Sequence, residues 1–308
     1  TPAAPNLIDI TVDGREIKAI AQVTKQGFTY VFDRATGVPV WPIIERAVPA
    51  GILPGERASP TQPFPTKPPA FALQGLTEDD LINFTPELRA EAVKQLENFT
   101  YGPLFTPPSL PEGNKRGTIL MPGAGGGANW TGAGIDPESG VLFVPSRDSA
   151  TVPRMGTLGG DESNFNYFRL NFLGVAGPRG LPILKPPYST ITAFDMNNGE
   201  ILWRVPNGAG SAQVESSPAL EGIDLPPLGG GGRHAVLVTS SLLIHGQNAG
   251  YGPLLVARNK ETGAEMATIE IPANPSGAPM SYSVDGRQYI AISVGSTPVP
   301  ELVVYALP

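Results

Sequence analysis

The 308-residue chain contains no cysteine. Disulfides, a thiolate nucleophile and cysteine-ligated zinc are therefore excluded, while a thiol-free chain is compatible with any redox compartment. Charge is also sparse: Asp, Glu, Lys and Arg make up 16% of the residues, with a net charge of -7. An acidic chain without a Lys/Arg run argues against nucleic acid as a partner and against a basic membrane-surface patch. No apolar run approaches the ~20 residues of a membrane-spanning helix. Histidine is limited to His234 and His245, with no carboxylate at ligand spacing, so the two read as surface or core residues rather than a metal centre. The glycine runs 123–127 and 229–232 lack a following Lys-Ser/Thr and helix, which excludes a mononucleotide loop. There is no G-x-S-x-G elbow for a serine hydrolase.

What the chain has in quantity is turn formers, 37 Gly and 35 Pro, as expected for many short strands joined by tight turns. Two distant stretches are near copies: residues 10–20 (I-T-V-D-G-R-E-I-K-A-I) and 282–292 (Y-S-V-D-G-R-Q-Y-I-A-I). A second repeat has an Asp, a short polar turn, a Gly, then an apolar strand ending in Trp. It occurs at 30–41 (Y-V-F-D-R-A-T-G-V-P-V-W) and 191–203 (I-T-A-F-D-M-N-N-G-E-I-L-W). Residues 254–267 are a third copy with Asn259 near the Asp position and Met266 replacing Trp, and 134–144 form a related hairpin. Recurrent hairpins of this kind predict an all-β, radially repeated fold, a β-propeller.

The repeats divide into about four sheet units, roughly 1–42, 117–204, 205–272 and 273–308. The last has strands near 278–284, 288–294 and 302–307 and no fourth strand. The first already has its own outer strand at 38–41, so the ring does not obviously close within this chain. Residues 43–116 break the rhythm as a Pro-rich, then helical insertion. Thr77 to Asp80 has a capping-box pattern. Thr85 before Pro86 is a helix N-cap, and Leu88, Ala92, Leu96 and Phe99 then share one apolar face.

Longer motifs carry a resemblance. The segments V-T-K-Q-G-F-T-Y-V-F-D-R-A-T-G-V-P-V-W-P (23–42), S-P-T-Q-P-F-P-T-K-P-P (59–69), Y-G-P-L-F-T-P-P-S (101–109), M-P-G-A-G-G-G-A-N-W-T-G-A-G-I-D-P (121–137) and P-M-S-Y-S-V-D-G-R-Q-Y-I-A-I-S-V-G (279–295) follow one another in the order found in the pyrroloquinoline quinone (PQQ)-dependent dehydrogenases. The chain resembles the membrane-type glucose, quinate and polyol dehydrogenase branch over its whole length. The resemblance implies an eight-bladed quinoprotein propeller of which residues 1–308 form a partial domain, about four blades with 43–116 inserted between them. It likens Trp41 and Trp203 to tryptophan-docking motifs that join neighbouring blades.

It further implies PQQ-dependent oxidation of an alcohol, polyol or sugar, with electrons passed to a quinone or cytochrome acceptor, in the periplasm and with attachment to the inner membrane through a segment outside this chain. Lys25 resembles the cation that contacts the PQQ quinone oxygens, and Asn129 and Trp130 resemble a cofactor-contacting pair. The alternatives for these three are a solvated turn lysine and a strand-entry loop with a core Trp. The chain resembles the C-terminal half of the family. The catalytic aspartate and most ligands of the Ca2+ or lanthanide ion are then expected upstream of Thr1, and the partner is a missing N-terminal half or a second copy. The alternative function is a non-catalytic propeller scaffold, because propellers host many functions.

Overall fold

A computed structural model describes residues 1–158, 164–249, 252–295 and 299–307. Four antiparallel sheets follow one another along the chain. The first runs β1 (Asn6–Val12), β2 (Arg15–Val23), β3 (Thr29–Asp33), with residues 38–40 added along β3 through the Phe32–Pro39 bridge and the Val40 N–H to Val31 bond. An outer two-stranded ribbon, β4 (Ile43–Ala47) and β5 (Thr61–Pro65), and the helix α1 (Pro86–Leu96) come next. The second sheet has the order β6 (Gly134–Asp136), β7 (Val141–Arg147), β10 (Ser189–Asp195), β11 (Glu200–Pro206). Between β7 and β10 the chain makes a detached hairpin, β8 (Thr151–Thr157) with β9 (Tyr167–Gly174), which the sequence pattern did not announce. After the short helix α2 (Ala212–Glu215), β12 (Val236–Val238), β13 (Leu242–Ala249), β14 (Gly252–Asn259) and β15 (Glu265–Glu270) form the third sheet. The fourth has three strands, β16 (Met280–Val284), β17 (Arg287–Val294) and β18 (Glu301–Ala306).

The repeats in sequence are repeats in hydrogen bonding. Asp13-Gly14 and Asp285-Gly286 both turn with positive φ at both residues, as a two-residue type I′ hairpin requires. In the second motif the side chains of Asp33, Asp136, Asp195 and Asn259 each accept from a backbone N–H two residues on, and the N–H of the Gly four residues on donates back to that Asp or Asn carbonyl at 2.8–3.0 Å. One turn chemistry is therefore used four times.

The sheets pack face to face like a fan, with the innermost strand β6 touching both β1 and β12. Apolar clusters fill the gaps: Ile8, Ile10, Val31, Leu142 and Phe194 between the first and second sheets, Phe143, Ile191 and Leu243 between the second and third, and Ile244, Leu255, Ile292 and Val294 between the third and fourth. Tryptophans join neighbours as the resemblance implied. Trp41 lies against Gly199 of the second sheet's turn, and Trp203 against Gly263 of the third's, where its Nε1–H donates to Lys260 O at 3.2 Å.

A fourth cluster lies above the fan, where Leu76, Leu81, Leu88, Ala92 and Leu96 meet Ile119, Met121, Val152, Leu184 and Leu220. Thr85 caps α1 by accepting from Leu88 N–H at 3.1 Å, and Asp80 accepts from both the N–H and Oγ1 of Thr77. The expected apolar face holds for Leu88, Ala92 and Leu96, whereas Phe99 lies beyond the helix end at Leu96 and packs half-buried against the same cluster.

Candidate functional site

The loops joining β2 to β3, leaving β7, and entering β6 and β12 all emerge at one end of the fan, because alternate strands of each sheet run in opposite directions. Lys25 sits in the first of these. Thr24 N–H donates to Phe28 O at 2.9 Å and Gly27 N–H to Thr24 O at 3.1 Å, closing a tight loop that projects Lys25 outward. The glycine-rich segment 123–127 lies directly on it. Gly127 N–H donates to Lys25 O at 2.9 Å, and a Cβ on Gly126 would fall 2.5 Å from Lys25 Cβ. Only glycine permits this approach.

Three successive carbonyls of this segment are each held by a different side chain. Lys25 Nζ donates to Ala124 O at 3.1 Å, Asn129 Nδ2 to Gly125 O at 2.8 Å, and Arg233 Nη1 to Gly126 O at 2.6 Å. The structure thus brings Lys25 and Asn129 together on one loop. Asn129 Oδ1 accepts from Trp130 N–H at 2.9 Å, so its amide is held at both ends. Trp130 is 82% exposed and is not a core tryptophan. Lys25 also lines a cleft of about 200 Å³ with Phe105, Met121 and Gly123.

Arg233 is a residue that sequence reasoning missed. Its one legible signal is its place directly after the glycine run 229–232, which mirrors Asn129 after 123–127. Arg147, at the end of β7, is tied to the same loop through its N–H to Gly127 O at 3.1 Å. Burial and then the charge of Arg147 push the Arg233 pKa below its ordinary value. Arg147 also lines a larger cavity of about 540 Å³ with Asp148, Ser149, Tyr188 and Gln213. Asp148 accepts from Leu73 N–H at 3.0 Å, and burial pushes its carboxyl up to about 6 against that bond and the pull of Arg204. Burial raises Tyr188 to about 12, and its hydroxyl is buried without a partner.

The histidines lie beside this end but belong to the core. His234 is half-buried, with Nε2 unpartnered and its pKa lowered by burial. His245 is fully buried on β13, hydrogen-bonded to Gly246 O and accepting from Arg258 Nε at 3.1 Å. Burial holds it down to about 3. Among the described residues no group of three or more His, Asp or Glu side chains is placed to hold a metal ion. The Asn129 amide and the N–H groups of Gly123, Gly126 and Gly127 bond within the protein, so the group with donors to spare is the exposed Lys25 ammonium, which suits a polar, anionic ligand.

A fan of four sheets with tryptophan-to-glycine contacts defines a β-propeller type of protein, and comparison with known proteins agrees. Residues 1–290 match the PQQ family model described as "Glucose/ethanol/alcohol dehydrogenase, beta-propeller domain". The chain belongs to this family. It is 31% identical over 334 residues to the glycerol dehydrogenase large subunit of Gluconobacter thailandicus, covering 96% of this chain and 44% of that one. It is 28% identical over 341 residues to the quinoprotein glucose dehydrogenase of Escherichia coli, covering 100% of this chain and 41% of the relative. The solved structure of a europium-containing methanol dehydrogenase superposes with a TM-score of 0.52 at 18% identity, covering 95% of this chain and 39% of that one, which supports the fold alone. The chain spans roughly two-fifths of the length of the curated relatives it matches.

Proposed function

We propose that this chain is the part of a PQQ-dependent dehydrogenase that receives the quinone side of the cofactor, in an enzyme that oxidises an alcohol, polyol or sugar and passes the electrons to a quinone or cytochrome. The observation that carries this reading is Lys25, a cation projected by a tight loop and seated against the glycine segment with Asn129 on the same segment. Lys25 Nζ has three N–H donors and spends one on Ala124 O, so others remain for quinone oxygens. When bound, PQQ supplies an electron-poor ortho-quinone that takes two electrons from the alcohol carbon. A preorganised ammonium stabilises the negative charge that grows on those oxygens without reorganising at the moment of reaction. Asn129, held at both ends, keeps the 123–127 loop and Trp130 in place, and the exposed indole of Trp130 offers a flat apolar surface to a planar ring system.

The base that takes the substrate's hydroxyl proton is proposed to be an aspartate outside these 308 residues. The Ca2+ or lanthanide ion implied by the resemblance finds no ligand set among the described residues. Residues 1–308 are proposed as a partial propeller with 43–116 inserted between blades, completed by the remaining half of the protein or by a second copy. A periplasmic location follows from the same reading, with inner-membrane attachment through a segment outside the chain; among the described residues no helix is long and apolar enough to cross a membrane.

Titration of the protein with PQQ, followed by absorbance and by quenching of Trp fluorescence, tests the proposal. Saturable binding is expected, weakened roughly ten- to a hundredfold by Lys25→Ala and largely restored by Lys25→Arg, as for loss of one charge-assisted hydrogen bond. Absence of saturable binding, or a Lys25→Ala protein that binds PQQ as well as wild type, would overturn it.

A further inference from the structure

A single peptide unit joins Lys25 to Arg233, which lies in the loop entering the third sheet. The carbonyl of Gly126 and the N–H of Gly127 belong to the same planar amide and point in opposite directions. The N–H donates to Lys25 O at 2.9 Å, and the carbonyl accepts from Arg233 Nη1 at 2.6 Å. Rotation of this plane, which the glycines on both sides make easy, would break both bonds together. The Lys25 stem rests on the same residue, since a Cβ on Gly126 would fall 2.5 Å from both Cβ and Cγ of Lys25. Gly126 therefore carries the lysine stem and is itself held by Arg233.

Arg233 is mounted so that it holds the glycine segment rather than following it. The run before it is tied down by Gly231 N–H to Asn207 O at 2.7 Å, Asn248 N–H to Gly231 O at 3.2 Å and Asn207 Nδ2 to Gly232 O at 2.7 Å. The guanidinium packs on Gly125, where a Cβ would lie 3.1 Å from Nη2, so the missing side chain there lets the fork reach Gly126 O. Arg233 is half-buried, and among the described residues it forms no ion pair. A guanidinium taken partly out of water without a counter-ion is costly, and what this one meets is a backbone carbonyl. A cation at the oxygen end of an amide also polarises it and strengthens the bond its N–H end donates. Lys25, by contrast, is exposed on a long stem, whose rotamer freedom opposes binding unless the loop restricts it first.

We infer that Arg233 is a positioning residue for the quinone site, fixing the direction of the Lys25 ammonium through the amide between Gly126 and Gly127. Cofactor affinity then depends on a side chain that acts through Lys25 rather than on the cofactor. The inference rests on the dehydrogenase reading of the site and deepens it, because the site is set by three sheets at once. Lys25 comes from the first sheet, the glycine segment leads into the second, and Arg233 leads into the third. A binding group contributes fully only when its supporting contacts keep it within a fraction of an ångström of the productive place. Loss of Arg233 frees the amide to turn, and an ammonium on a loosened loop gives up part of its contribution.

The test is a double-variant cycle on PQQ titrations of the full chain, with affinity and stoichiometry read separately. Arg233→Gln is expected to weaken PQQ binding about five- to tenfold at unchanged stoichiometry. Arg233→Lys keeps a cation able to reach one carbonyl and is expected to recover part of that affinity. In a Lys25→Ala background, Arg233→Gln is expected to add less than about a twofold loss, because no ammonium remains to be positioned. Full additivity of the two losses would overturn the inference, since Arg233 would then act on the cofactor independently of Lys25. So would an Arg233→Gln protein with wild-type affinity. A fall in stoichiometry with affinity unchanged would overturn it too, because the arginine would then serve only the folding of the chain. A wild type that binds no PQQ fails the dehydrogenase reading itself, and with it this inference; normal wild-type binding with additive losses fails the inference alone.

Discussion

Asp148 shows how one residue at this site gives the protein a pH signature. Its folded-state carboxyl, pushed up to about 6 by burial, lies above the ~3.9 of an unfolded Asp, so the folded protein keeps this proton longer than the unfolded chain. Stability from this group is greatest in acid, falls as pH rises through about 6, and stays low above it. The cost at neutral pH is roughly 2–3 kcal/mol by the size of the shift. Asp148→Asn retains the oxygen that accepts from Leu73 N–H and removes the charge. It is expected to melt several degrees above wild type at pH 8 and together with it at pH 4, in thermal scans at both pH values. A variant that melts with wild type at pH 8 would show that Asp148 is stabilised as a carboxylate. None of this was legible in the sequence, where Asp148 is one acidic residue after a strand; its environment comes from Leu73, Arg204 and Asp80, far away along the chain. Lys25 and Asn129 were legible through the motifs around them, whereas Arg233 and Arg147 acquire meaning only when the glycine loop is folded between them.

At the scale of the element, the repeated hairpin serves both as a turn and as a docking point. Gly263 has φ +73 and faces the Trp203 ring, from which a Cβ would lie only 2.9 Å away. Gly263→Ala therefore introduces two costs, a left-handed backbone for an L side chain and a collision with the indole that joins the second sheet to the third. A loss of about 2–3 kcal/mol is expected from denaturant midpoints. Gly37→Ala, at φ +74 with open space around it, is the control and should cost less, because it carries the backbone term alone. Equal losses at the two positions would mean that the Trp203 contact adds nothing. The hairpins, their Asp-to-N–H bonds and their glycines could all be read in advance, since each depends on residues a few positions apart. The β8–β9 hairpin and the β4–β5 ribbon were not anticipated, because their strands lack the repeat's turn and their pairing is set by neighbours outside it.

At the scale of the whole molecule, the fan is open. The first and fourth sheets are covered by a neighbour on one face only, and β18 has no partner on its outer side among the described residues. Leu302 is 69% exposed on β18, Leu7 60% exposed on β1, and Met266, standing where the other outer strands carry Trp, 62% exposed on β15. An unpaired apolar strand edge is a template for association. The 308-residue chain is therefore expected to self-associate in sedimentation velocity at micromolar concentration, and the double variant Leu302→Lys, Val304→Lys to shift it towards monomer. A wild-type chain that stays monomeric across that range would count against an open edge that needs a partner.

The sequence by itself determined the class of fold, the number of sheets, the turn chemistry and the capped helix, because these rest on strand alternation, short-range hydrogen bonds and glycine backbone freedom within a few residues. It also marked Lys25, Asn129 and Trp130 through their motifs. Only the tertiary structure decided that Trp130 is exposed and that one glycine loop is gripped at three successive carbonyls by Lys25, Asn129 and Arg233. Two of those grips reach across 99 and 107 positions of chain, Lys25 to Ala124 and Arg233 to Gly126, and such proximity has no trace in local pattern.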